Sequence, residues 1–199
     1  MQKWRAEIKT HLTWTHDSRE TVRRFRDVLL SGDTDELETM IKALNLHGCW
    51  PEAVAQLCNG VIPNKEMGDA LISFWYTYGL WSIPRGLKEN IFLLADAFKY
   101  LLPPYAGSGL TLYRGELEAR HRIGIYGIAW TPHLKTAQVF ASRRYPDEGQ
   151  GIVLRIEATS AMIVASLRDH SRHTTVLEED EYFVDPRKIW GRVSVVDPE

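Results

Sequence analysis

The sequence predicts an α+β protein, helical through its first half and β-rich through its second. Three observations carry this. Apolar residues recur at helical spacing from residue 18 to about 100, proline and glycine end that pattern between Pro103 and Gly109, and short runs of β-branched and aromatic residues follow. The chain has 199 residues, 44% apolar and 25% charged, an ordinary globular balance that excludes a disordered, collagen-like or repetitive chain. Its 24 Lys+Arg and 26 Asp+Glu divide evenly between the two halves, so there is neither a polybasic arm nor an acidic tail, and bulk charge names no partner. A chain of this length buries a sizeable core. The punctuation divides it into a helical domain, 1–109, and a β-rich domain, 110–199.

In the first domain, Val22, Phe25 and Leu29, then Leu37, Met40, Ile41 and Leu44, mark the inward faces of two helices. Asp17 with Glu20 and Asp33 with Glu36 each place an acidic cap three residues before a glutamate; Asn64 and Pro84 can open later helices, and Gly32, Gly48 and Gly79 act as stops. Leu87, Ile91, Leu94, Ala95, Phe98 and Leu102 predict one long amphipathic helix over 87–102, ended by Pro103 and Pro104. Cys49 and Cys58 are the two cysteines; without further metal-type ligands beside them they make neither a disulfide framework nor a zinc ribbon, which suits a reducing compartment. Residues 1–10 alternate charged and apolar side chains without an apolar centre, and no run reaches membrane-span length, so the expectation is a cytoplasmic protein with no membrane partner.

The second domain reads as strands at 110–114, 125–131, 151–158, 162–165, 182–184 and 192–196, with one helix at 132–142 turning Leu134, Ala137, Val139, Phe140 and Ala141 inward. Strands grouped around a single helix argue for a sandwich with an attached helix rather than a doubly wound sheet.

Several patterns carry no chemistry. The aromatic stretch Phe74 to Trp81 has no interleaved basic residue, so it reads as packing rather than a base-stacking surface. His170 and His173 beside Asp169 fall short of the three or four ligands that a metal site needs, and no metal is expected. Gly107, Gly109 and Gly115 follow a helix and precede a strand, the reverse of a dinucleotide fingerprint. No G-x-S-x-G nucleophile elbow is present.

Three positions remain. Arg114 ends the run Thr111, Leu112, Tyr113 and precedes Gly115, presenting a guanidinium fork beside backbone that a ligand can approach; the plainer reading pairs it with a surface carboxylate. Thr131 ends the run Gly127, Ile128, Ala129, Trp130 just before Pro132, and is also placed to cap the following helix. Glu178, Glu179, Asp180 and Glu181 lead into Tyr182, Phe183 and Val184 without a turn residue. Such an acidic run is normally a solvated turn, but period-two alternation would set Glu179 and Glu181 on one face of a strand.

An arginine for an anion, a hydroxyl strand end and a paired-carboxylate strand, in that order, resemble the mono-ADP-ribosyltransferases of the Arg-Ser-Glu (cholera- and iota-toxin-like) class. Leu112-Tyr113-Arg114-Gly115 is similar to the first-strand arginine motif. Glu179-Asp180-Glu181 with its trailing Tyr182 to Pro186 is similar to the Glu-x-Glu strand, and Ala129-Trp130-Thr131 stands where the family has Ser-Thr-Ser. Ala129 departs from the family's first serine, which helps hold the catalytic glutamate. The resemblance covers roughly residues 110–196 and leaves 1–109 unassigned.

The resemblance implies a split β-sandwich with NAD as co-substrate. Glu181 would stabilise the charge that develops on the nicotinamide ribose, and Arg114, with Tyr113 and Gly115 beside it, would bind the pyrophosphate. Trp130, Thr131 and Phe140 would line the nicotinamide pocket. Glu179 would serve the acceptor nucleophile, with a lean toward a guanidinium. The segment 167–177, with Arg168, His170, Arg172 and His173, would recognise the acceptor, and its charge instead suits an anionic or nucleic-acid one. The implied role is a toxin or phage-related effector, acting in a host cytosol if delivered there. The helical domain would dock the target, cover the cleft or bind an antitoxin. An NAD glycohydrolase, or a degenerate binding module favoured by Ala129, are the alternatives.

Overall fold

A computed structural model describes residues 18–57, 65–75, 90–142, 149–167 and 180–197. The chain forms two compact units, Met1–Pro103 and Pro104–Glu199. They divide within the proline pair rather than at Gly109.

The described residues of the first unit that lie in regular structure are helical: α1 (Ser18–Ser31), α2 (Thr34–His47), α3 (Trp50–Leu57), α4 (Lys65–Phe74) and α5 (Ile91–Leu101). The caps explain their limits. Asp33 accepts from the amides of Asp35 and Glu36, so its carboxylate satisfies two donors that begin α2. Gly48, at φ +65°, closes the same helix in the left-handed region. Asn90 caps α5 by accepting from the Leu93 amide, so this helix starts at Ile91 and not at residue 87. Apolar stripes of α1 and α2 meet over Phe25, Leu29, Met40, Ile41 and Leu44. Trp50 is fully buried there, edge-on to Phe25 with ring centroids 6.1 Å apart, and its indole N–H donates to Asn45 Oδ1 at 2.6 Å. Phe74 and Trp75 are buried as well, Trp75 edge-on to Phe98 at 5.1 Å, so these two rings pack a core. Cys49 is a buried free thiol that burial, helped by Glu52, pushes up to about 11, which makes it a poor nucleophile.

The second unit runs β1 (Leu110–Leu117), α6 (Glu118–Arg122), β2 (Ala129–Trp130), α7 (Leu134–Ser142), β3 (Gly151–Ala158), β4 (Ile163–Ser166), β5 (Tyr182–Val184) and β6 (Ser194–Val195). It is a mixed α+β unit with two antiparallel three-stranded sheets, ordered β1-β3-β6 and β2-β5-β4. Two backbone bonds between Tyr113 and Thr131 join them, at 2.7 and 2.9 Å. Leu112, Leu154, Ile156 and Ala158 from the first sheet and Trp130, Ile163, Tyr182 and Val184 from the second share one core. Along β3 this burial alternates with exposed Arg155 and Glu157, as period two requires.

Several bounds differ from the pattern in the sequence. β1 continues through Arg114 to Leu117, because Arg114 and Glu116 pair with each other and can remain in a sheet. β2 and β6 are two residues each, α7 begins two residues later than Pro132, and the short α6 has no apolar stripe to announce it.

Helix α7 lies across the first sheet where glycine lets it. A Cβ on Gly115 would fall on the Ala141 amide nitrogen and within 2.6 Å of the Ala137 carbonyl oxygen and 2.8 Å of the Phe140 carbonyl carbon. Backbone cannot yield as a flexible side chain does. Gly115→Ala is therefore expected to cost about 1–3 kcal/mol of overpacking, read as a lower denaturant midpoint at unchanged slope. An unchanged midpoint would contradict this packing.

Candidate functional site

The site is built on β1, β2 and the entry to β5. Arg114 projects from β1 with only 20% of its side chain exposed. Its Nε donates to Glu116 Oε2 at 2.9 Å and its Nη1 to the Ala129 carbonyl at 2.6 Å. Nη2 takes part in neither bond and lies against Gly127, where a Cβ would collide with it. Arg114 is therefore not a strand-end residue paired with a surface carboxylate. Its partner, Glu116, is wholly buried.

Glu116 was not anticipated as part of the site. It also accepts from the amides of Leu117 at 3.0 Å and Gly127 at 3.3 Å, and Arg120 Nε lies 3.8 Å from its other oxygen. Burial alone would raise its carboxyl, but Arg114, then Arg120 and the Leu117 amide, outweigh that and hold it at about 2. One carboxylate thus sits between two guanidinium groups, and the cluster keeps an excess positive charge. The sequence signal was the i, i+2 spacing of Arg114 and Glu116, which sets both on one side of a strand.

Two expected pocket residues are otherwise engaged. Gly115 does not offer bare backbone to a ligand, since α7 occupies that approach. Trp130 is 1% exposed within the core and donates its indole N–H to the Gly127 carbonyl at 3.1 Å, so its ring does not line an open pocket. The alternation that sends Trp130 inward sends Ala129 and Thr131 to the other side of β2. Tyr113 meets Thr131 through backbone alone among the bonds described, and Phe140 is half-buried on α7.

Thr131 is 5% exposed, and its Oγ1 accepts from the His133 amide at 3.2 Å, so its hydroxyl stabilises the turn into α7. The β2–β5 register pairs Ala129 with Phe183 and Trp130 with Tyr182. Glu181 is half-buried, and its carbonyl accepts from the Leu167 amide at 2.9 Å.

The strand itself begins at Tyr182, and Asp180 has φ +32°, so the extended alternation assumed across 179–181 does not hold. Asp180 Oδ2 instead meets His133 Nε2 at 3.1 Å. Glu179, Arg168, His170, Arg172 and His173 lie outside the described residues. After the strand, Asp185 caps the turn Pro186–Lys188 and pairs with Arg187; burial works against its charge, but the Arg187 bonds bring its carboxyl below the usual range.

Among the described residues, no group of three or more His, Cys, Asp or Glu side chains is gathered as for a metal ion, and no helix is long and apolar enough to cross a membrane. Compared with known proteins, the chain matches no family model, no curated protein and no solved structure.

Proposed function

We propose that the chain is an NAD-dependent mono-ADP-ribosyltransferase with a split-sandwich catalytic unit, transferring ADP-ribose to a macromolecular acceptor. The observation that carries this reading is the succession of Arg114, Thr131 and Glu181 on three neighbouring chain segments, joined by the Tyr113–Thr131 bonds and the β2–β5 register. Two small sheets with one helix laid across the first are what such a sandwich needs. NAD here is a substrate rather than a resident cofactor.

In this reading the excess positive charge of the Arg114, Glu116 and Arg120 cluster meets the pyrophosphate, with Arg114 Nη2 as a donor that neither bond above uses. The bond between C1 of the ribose and the nicotinamide nitrogen breaks, and its electron pair leaves with nicotinamide. The positive charge left on the ribose is oxocarbenium-like, and the Glu181 carboxylate stabilises it. An acceptor nucleophile then bonds to C1 and gives up a proton, which Glu179 takes. Glu179→Gln is accordingly expected to depress transfer far more than NAD hydrolysis, measured side by side as label incorporated and nicotinamide released. Equal losses would contradict that role.

The deciding experiment incubates the purified protein with labelled NAD and a whole-cell lysate, then digests separate samples with nuclease and protease. Label on macromolecules establishes the transferase, and the digestion identifies protein or nucleic acid as the acceptor. Nicotinamide released without label means that water is the acceptor, a glycohydrolase. Ala129 favours a third reading, a binding module, because a methyl group cannot orient the glutamate; NAD affinity without turnover would establish it.

A further inference from the structure

We infer that His133 and Asp180 form a clamp that positions Glu181, an inference that rests on the reading of Glu181 as the carboxylate facing the ribose. Asp180 is the one non-glycine among the described residues with positive φ, at +32°. Asp visits this region more readily than most L-residues, but at a cost that contacts with its surroundings offset. His133 is among the groups that meet it. His133 Nε2 lies 3.1 Å from Asp180 Oδ2, with side-chain exposures of 35% and 28%. A carboxylate accepts but does not donate, so Nε2 carries the proton of this bond.

His133 is anchored in turn. Its amide donates to Thr131 Oγ1, tying the imidazole to the residue that follows β2. On the far side, the Leu167 amide holds the Glu181 carbonyl. Glu181 is thus fixed through its neighbour from β2 and through its own carbonyl from beyond β4. Without the imidazole, Asp180 loses one of the contacts that hold it at this φ, and a shift there swings the peptide carrying Glu181. His133 and Asp180 are positioning residues in this account and touch no reacting atom.

The test measures nicotinamide release, as kcat and KM for NAD, in the wild type, His133→Ala, His133→Gln, Asp180→Asn and Asp180→Gly, with thermal melting and amide hydrogen exchange on each. A carboxylate moved by about 1 Å loses roughly 100-fold in rate. His133→Ala should therefore lower kcat by about 100-fold while KM stays within about twofold. His133→Gln, whose amide can donate to Asp180, should recover most of that loss. Asp180→Asn keeps an acceptor and tolerates left-handed backbone, so it should stay near wild type. Asp180→Gly removes the strain and the tether together and should match His133→Ala. In His133→Ala the Leu167 amide should exchange faster without substrate, since its bond to Glu181 is loosened.

An active wild type with an unaffected His133→Ala, or no recovery in His133→Gln, overturns the clamp and leaves Glu181 standing. A wild type that releases no nicotinamide overturns the reading of Glu181, and the positioning role falls with it. A loss of kcat that follows the melting temperature across all variants also overturns the clamp.

Discussion

Glu181→Gln is expected to remove both nicotinamide release and ADP-ribose transfer while leaving the fold intact. The substitution keeps side-chain length and volume and deletes the negative charge. A group that acts by fixed electrostatics on a developing cation is worth little once neutral; losing one such interaction typically costs about 100- to 1,000-fold in kcat. The fold should not register the change, because the amide keeps the size of the half-buried side chain and the bond from the Leu167 amide to the Glu181 carbonyl uses the main chain. The measurement is single-turnover nicotinamide release with thermal melting alongside. A mutant that turns over normally would remove Glu181 from the mechanism. A mutant that melts much earlier would show the residue to be part of the scaffold.

The second large effect is expected at Glu116. Its buried carboxylate is shared by Arg114 and Arg120 and by the amides of Leu117 and Gly127. Glu116→Gln leaves the two guanidinium groups facing a neutral amide, and breaking one side of a buried ion pair costs about 3–5 kcal/mol. It should also weaken NAD binding, since Arg114 loses the partner that aims its fork.

The same carboxyl sets a pH dependence. It is held at about 2, below the ordinary 4.5, so in the folded unit it stays charged where the unfolded chain would bind a proton. Its contribution is fully present above the unfolded value and is lost as pH falls through the folded one. Denaturation of the wild type should therefore become easier from about pH 5 down to about pH 2, and this component should be missing in Glu116→Gln. Parallel pH profiles for the two proteins would contradict it.

Much of the fold was legible because it is local. Asp33 and Gly48 announce the ends of α2 by the bonds and backbone angles their side chains permit. Gly151 to Ala158 and Tyr182 to Val184 read as strands because β-branched and aromatic residues fill them. β1 was read three residues short, since Arg114 and Glu116 look like a strand end until each is seen to satisfy the other. Asn90, overlooked as a cap, moved the start of α5.

The candidate site was legible in part. Arg114, Thr131 and Glu181 stand out by type and order, and Trp130 does not reveal from type alone whether its ring faces a pocket or a core. Glu116 and His133 were missed for one reason. A buried carboxylate is recognisable only from the cations around it, and an imidazole's partner 47 residues away is invisible to local pattern.

The sequence by itself determined the element types, the change from helical to β-rich character near the proline pair, and the order of the arginine, hydroxyl and carboxylate segments. Those follow from periodicity, capping and backbone propensity, which act over a few residues. Tertiary structure decided that α7 covers Gly115, that Arg114 is shared between Glu116 and Ala129, and that Asp180, at φ +32°, meets His133. Register, burial and the pairing of charges depend on which distant segments meet, and no short stretch of sequence carries that information.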